Sequence, residues 1–200
     1  MRRIKILEYI SLDGIIQAPG GPGEDTDGGF AHGGWSAPFD DPAMDDAIGA
    51  AHGTGFDLLL GRRTYDIWAG YWPNAGDSPM ADSLNNATKF VATHRRESLS
   101  WGPAEALGAD IVAGIRRIKA QAGPDLVVWG SSSVTPVLLE HGLADEVLLI
   151  VVPVLLGTGK RFFADGTPPC TLKLVRTRTG ASGVLVNTYE PAGPLRTGAF

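Results

Sequence analysis

The sequence predicts an α/β fold: a three-layer sandwich whose mostly parallel central sheet ends in antiparallel strands. Three observations carry this. Strand-like and helix-like segments alternate from residue 4 to residue 157. Two strand candidates, "FDLLLG" and "PDLVVWG", are continuous apolar runs ending in glycine, as strands covered on both faces require. The last segments, "TLKLVRTRTG" and "VLVNTYEP", alternate polar and apolar residues, as antiparallel partners with one wet face do.

The first element, "IKILEYIS", alternates and is rich in Ile, so it reads as a strand interrupted in polarity by Lys5 and Glu8. A segment from Ser11 to Asp46 follows, with eight Gly, four Pro and eight Asp or Glu, which cannot settle into a helix or a strand. "DDPAMDDAIGAAHGTG" is a helix, with Asp41 as N-cap, Pro42 at the first helical position, acids in the first turn and Gly53 as a stop. After the strand "FDLLLG", "RRTYDIWAGYW" forms a short helix ending near Pro73. "TKFVATH" is a strand, "ALGADIVAGIRRIKAQAG" an amphipathic helix, and "PDLVVWG" a strand. "SSSVTPVLLEHG" is a helix, "DEVLLIVVPVLLG" a long strand, and "RFF" a short one before the final pair. No repeat or linker divides the chain. One domain over residues 1–190 is expected, with a Gly/Pro-rich lid at about 17–40 and a mobile tail over 191–200.

A net charge of -5 argues against a general nucleic-acid or anionic-membrane binder, which needs an excess of Lys and Arg. A single cysteine, Cys170, allows no intrachain disulfide and suits a reducing, cytoplasmic setting. No Cys/His cluster has metal-ligand spacing, so no metal is expected. The longest apolar run, from Val147, is about half a membrane span and contains Pro153.

In an open α/β sheet, ligands sit beyond the carboxyl ends of the strands. Three turns there carry phosphate-binding chemistry. Gly61 leads into a helix N-terminus at Arg62, Arg63 and Thr64, where free N–H groups and guanidinium groups favour an anion. Gly130, Ser131, Ser132 and Ser133 offer close backbone approach, hydroxyls and N–H groups. Thr93, His94, Arg95 and Arg96 leave a third strand end. A dinucleotide with a pyrophosphate and an extra ribose phosphate would use all three. Neither G-x-G-x-x-G after the first strand nor a P-loop is present, which excludes the ordinary Rossmann and P-loop classes.

At these residues the chain resembles the dihydrofolate reductase-like superfamily. Within it, the chain resembles freestanding relatives of the reductase domain of the bifunctional riboflavin-biosynthesis deaminase-reductase. The matching pieces are "SLDGIIQAPGG", "FAHGGW", "LLLGRRTYDIW", "KFVATH", "VVWGSSSV" and "VPVLLGTGKRFF", in the family's order. The resemblance implies a sheet of about eight strands, an NADPH site and a homodimer. It implies that Gly61, Arg62, Arg63 and Thr64 hold the adenosine end and its phosphates. Thr93, His94 and Arg95 would flank the 2′-phosphate, and Gly130, Ser131, Ser132 and Ser133 the pyrophosphate. Ser11, Asp13 and Gly14 would approach the nicotinamide, with the Gly-rich segment closing above it. Trp35 and Trp129 would wall the substrate pocket, Trp35 being equally readable as a lid anchor.

The expected activity is NADPH-dependent hydride transfer to a small heterocyclic or carbonyl substrate. Asp13 and Asp45 are the candidate proton-handling carboxylates. An Asp-Gly turn also explains Asp13, and helix-dipole complementarity also explains Asp45 and Asp46. Two other readings stand beside it: an NADP(H)-binding protein without efficient turnover, and a serine hydrolase built on Ser131 or Ser132 with one of His32, His52, His94 or His141.

Overall fold

Residues 1–163 and 165–199 are described by a computed structural model. β1 (Ile4–Ser11), β2 (Phe56–Gly61), β3 (Lys89–Ala92), β4 (Ala104–Ala106), β5 (Asp125–Trp129), β6 (Glu146–Val152), β7 (Cys170–Thr179) and β8 (Leu185–Pro194) form one sheet. Its order is β4-β3-β2-β5-β1-β6-β8-β7. The ladders from β4 through β6 are parallel, and β8 pairs antiparallel with both β6 and β7. This is the three-layer arrangement expected from the alternation of segments.

Helices α1 (Pro42–His52), α2 (Arg62–Tyr71) and α3 (Pro79–Asn86) cover one face, and α4 (Ile111–Ala120) and α5 (Thr135–Glu140) the other. The first core joins Ala47 and Ile48 of α1, Tyr65 of α2 and Leu84 of α3 to Leu7, Leu58, Leu60 and Val127. The second joins Ile115 and Ile118 of α4 and Leu138 of α5 to Ile6, Leu59, Leu126 and Val128. Alternate residues of each central strand thus enter opposite cores, which is why these strands read as unbroken apolar runs. Asp41 caps α1 by accepting from the Ala43 N–H at 2.9 Å, with Pro42 at the first position.

Several boundaries differ from those expected. β6 stops at Val152, because Pro153 has no N–H to continue a ladder. "RFF" is no strand; Arg161 makes only an isolated bridge to Ile15. α4 starts at Ile111, capped by the Asp110 side chain, five residues after the helix-like pattern begins at Ala106. β4 has a sequence, "AEA", with low strand propensity, and forms because the β3 edge recruits it. α3 carries a legible start in Ser78, whose side chain accepts from Ala81 N–H, followed by Pro79. β8 remains paired to Pro194, opposite Cys170, so the strand runs into the expected tail, whose last residue, Phe200, lies outside the described residues.

The strand ends open a crevice. The β1–β5 ladder runs from Ile4↔Leu126 to Leu7↔Trp129 and stops, while β1–β6 continues to Ser11↔Val152. The β2–β5 ladder stops at Leu58↔Val127, while β2–β3 continues to Gly61↔Ala92. The carboxyl end of β5 is therefore unpaired on the β2 side beyond Val127, and β1 and β2 both run on past its last residue, Trp129.

Candidate active site

A cavity of about 770 Å³ occupies this crevice and passes around the end of the sheet. Its floor is made by the two turns after β2 and β5. The Gly61 N–H donates to Ser131 Oγ at 2.8 Å, and Ser131 Oγ also lies 3.1 Å from Thr64 Oγ1. A Cβ on Gly61 would stand 3.0 Å from Ser133 Oγ and 3.4 Å from Ser131 Oγ, so only glycine leaves this cradle open. Gly130 (φ 56°) and Ser131 (φ 67°) are consecutive left-handed residues. Serine holds such a left-handed conformation only under local constraint. Ser132 and Ser133 are exposed on the same cavity wall, joined by Arg63.

A second group lies at the start of α2, outside the cavity lining. Arg62 donates to Thr93 Oγ1 (3.4 Å), Arg95 O (3.0 Å) and Ser98 Oγ (2.9 Å). The Asp66 carboxylate draws Arg62 and Arg95 together, at 2.8 and 3.2 Å. Two guanidinium groups beside one carboxylate leave an excess positive charge over an exposed hydroxyl-bearing turn. His94 is exposed in this turn.

The segment over residues 17–40 is anchored in place. Trp35 is buried and donates from Nε1 to Gln17 O at 2.8 Å, while Phe30 packs into the core on the α1 side. Trp35 does not line the cavity, and its bond to Gln17 fixes the 17–40 segment. Asp25, also buried, accepts from Arg63 and from Lys160 Nζ at 2.7 Å. Burial works against its charge, but Lys160 and Arg63 outweigh that and hold its carboxyl below the usual range. Arg63, expected at a phosphate, thus pairs with this segment.

The candidate carboxylates separate clearly. Asp13 accepts from Ser11 Oγ at 2.6 Å, from Leu156 N–H at 3.2 Å and from Gly157 N–H at 2.7 Å. The bond from Ser11, with those from Gly157 and Leu156, lowers its pKa to about 2. Neither Asp13 nor Ser11 nor Gly14 lines the cavity, and Asp13 ties the turn after β1 to the segment after β6, with no proton to give at neutral pH. Asp46 pairs with Arg178, and exposed Asp45 lines the cavity.

The carboxyl that sequence reasoning missed is Glu8. It lines the cavity, is 3% exposed, and its Oε2 has no hydrogen-bond partner. Burial, reinforced by the neighbouring carboxyl of Glu24, raises its pKa well above the ordinary value. Burial likewise raises Glu24. The available signal was an acid midway along a strand at the centre of the sheet.

Trp129 lines the cavity on the α1–α3 side, where its Nε1 donates to His52 Nε2 at 3.1 Å. His52 stacks on Phe56 (3.9 Å between centroids), and burial, with Lys5 nearby, lowers its pKa to about 4, leaving a neutral acceptor. Among the described residues no hydrogen bond joins Ser131, Ser132 or Ser133 to a histidine, which leaves the hydrolase reading without an activated nucleophile. Among the described residues no cluster could hold a metal ion, and no helix is long and apolar enough to cross a membrane.

Comparison with known proteins gives a consistent result. Residues 4–186 match the RibD C-terminal domain family. The uncharacterized protein YyaP of Bacillus subtilis (strain 168) is 27% identical over 193 residues, covering 94% of this chain and 95% of its own. A crystal structure of a Shewanella sp. PV-4 protein assigned to riboflavin biosynthesis superposes with a TM-score of 0.65 at 18% identity, over 96% of this chain and 99% of the other. A dihydrofolate reductase from Enterococcus faecalis, complexed with NADP(H) and RAB-propyl, superposes with a TM-score of 0.58 at 16% identity, over 94% and 96%.

Proposed function

The chain belongs to the RibD C-terminal domain family, and we propose that it is an NADPH-dependent reductase acting on a small heterocyclic or carbonyl compound. The observation that carries this reading is the Gly61–Ser131 hydrogen bond. It joins two hydroxyl- and N–H-rich turns into one concave floor at the end of β5. The donor set there suits a diphosphate: neutral N–H and O–H groups around an open glycine cradle.

In this reading Gly61, Thr64 and Gly130 to Ser133 hold the pyrophosphate. Arg62, Thr93, His94 and Arg95 take the 2′-phosphate, which distinguishes NADPH from NADH. Ser11 and Gly14 shape the turn that closes the nicotinamide end, and Asp13 keeps that turn folded. When bound, NADPH supplies the hydride. Glu8 supplies the proton that a reduced substrate requires, and the 17–40 segment beside it, which carries Glu24, excludes water. Glu8 also favours an enzyme over a binding protein without turnover, because a buried unpartnered acid costs stability unless it is used. The test is spectrophotometric: NADPH oxidation that depends on added substrate and is lost in Glu8→Gln supports the reading. NADPH binding without turnover on any ring or carbonyl compound returns the chain to the binding-protein class.

A further inference from the structure

The turn over residues 25–27 is tied to two different parts of the body. On one side Lys160, in the loop after β6, reaches Asp25 at 2.7 Å and Asp27 at 3.0 Å. Gln17 braces that side, its buried amide donating to Asp25 O and Asp27 O and accepting the Lys160 N–H. On the other side Arg63 of α2 pairs with Asp25 and, at 3.5 Å, with Asp27. Among the described residues, no other side chain of α2 makes a hydrogen bond or ion pair to the 17–40 segment.

Arg63 also belongs to the glycine cradle. It stands at the second position of α2, just past Gly61, and lines the cavity with Ser132 and Ser133. Its side chain is 52% exposed and that of Asp25 only 10%, so Arg63 is the partner with room to swing. Lys160, the other cation on the cavity wall, is held by its backbone as well, its N–H by Gln17 and its C=O by the Ile16 N–H. The two carboxylates and two cations balance in charge, with no cation left over for a third anion. An anion settling on the cradle therefore draws on Arg63, and a guanidinium turned toward it is lost to Asp25 and Asp27.

We propose that an anion on the cradle and the 25–27 turn compete for Arg63, so that filling the cradle loosens residues 20–34 and emptying it fastens them again. Lys160 and Gln17 keep their hold, so the turn is released on the α2 side alone. Coupling of this kind is reciprocal: whatever frees Arg63 from the turn strengthens anion binding by the same factor. Identifying the anion with the diphosphate of NADPH rests on the reductase reading, in which the cofactor-loaded protein is the form open to substrate. The competition itself needs only an anion.

Inorganic pyrophosphate is the probe, added to the intact protein at matched ionic strength so that screening does not contribute. Calorimetry gives its affinity, and hydrogen exchange read by mass spectrometry follows residues 20–34. The expected result is saturable binding with exchange in that stretch about threefold faster, the effect of losing one part-exposed ion pair, and no change in β2 or β5. Arg63→Gln should exchange fast from the start and show no response. Asp25→Asn should bind pyrophosphate about threefold tighter, and that gain should vanish when Arg63→Gln is added. A general loss of negative charge near the cradle would instead leave the gain in place. Exchange unchanged or slowed by bound pyrophosphate, no pyrophosphate binding, or a gain that survives in the double variant overturns the proposal. NADPH added to the same samples separates the two claims. The pyrophosphate pattern without NADPH binding strikes the reductase reading alone; NADPH binding with the pyrophosphate pattern absent strikes the competition alone.

Discussion

Ser131 Oγ accepts the Gly61 N–H at 2.8 Å across 70 residues of sequence, and this bond fuses two separate strand ends into one surface. Because Gly61 has an ordinary φ of -72°, its side-chain-free state answers to space and not to backbone strain. Gly61→Val should therefore fold, yet weaken NADPH at least tenfold by filling the cradle under Ser131 and Ser133. Gly61→Ala should be milder, since the exposed Ser133 hydroxyl can rotate away. Dissociation constants for the two variants, beside their melting temperatures, check this.

Glu8→Gln separates catalysis from stability. The unfolded glutamate ionises above its ordinary pKa of 4.5, whereas the folded one holds its proton to a higher pH. Folding thus takes up a proton, and stability falls as pH rises above 4.5 toward the folded pKa. Glutamine matches the protonated acid without this penalty, so the variant should melt higher than the parent at pH 7.5. Its turnover should drop roughly 100-fold, with NADPH affinity unchanged. The kcat measured across pH, with thermal melts, reads both effects.

His52 gives the opposite slope. Its folded pKa is about 4 against an ordinary 6.5, so the unfolded chain binds a proton first as pH falls. Its contribution is intact above pH 6.5 and is lost between 6.5 and about 4. Relative to His52→Gln, the parent should lose roughly 5 °C of melting temperature between pH 7 and pH 5. Asp13, with a folded pKa of about 2, acts in a separate window, losing its contribution only as pH drops from near 4 toward 2.

Asp25 holds the 17–40 segment through two cations. Asp25→Asn leaves Arg63 and Lys160 without that carboxylate, at a cost of about 1 kcal/mol given the exposure of Arg63. The visible consequence is local: faster proteolysis between Gly20 and Gly34, while the core melts within a few degrees of the parent. Limited proteolysis followed by mass mapping would show it.

Much of the fold was legible because its central strands are covered on both faces. Leu58 to Leu60 and Leu126 to Val128 can be nothing else once flanked by Gly61 and Gly130. The cavity floor was legible too, since glycine followed by hydroxyl-bearing residues marks a phosphate turn whatever lies around it. What sequence could not give was partnership across the chain. Arg63 reads like Arg62, but Asp25, far away in sequence, engages Arg63 and not Arg62. Asp13 looked catalytic until the backbone N–H groups of Leu156 and Gly157 were seen to occupy it. Glu8 looked like a break in an apolar strand, and only its burial beside Glu24 makes it an acid. Trp35 was readable as wall or anchor, and its bond to Gln17 O within the same segment is not a partnership that spacing reveals.

The most direct test of the account is titration of the protein with NADPH and NADH, followed through tryptophan fluorescence, since Trp68, Trp72 and Trp129 line the cavity. The account predicts saturable quenching by NADPH, binding of NADH at least tenfold weaker, and a comparable loss of NADPH affinity in Arg62→Ala and Arg95→Ala. No saturable binding of either nucleotide, or equal binding of both that ignores the two arginines, would contradict it.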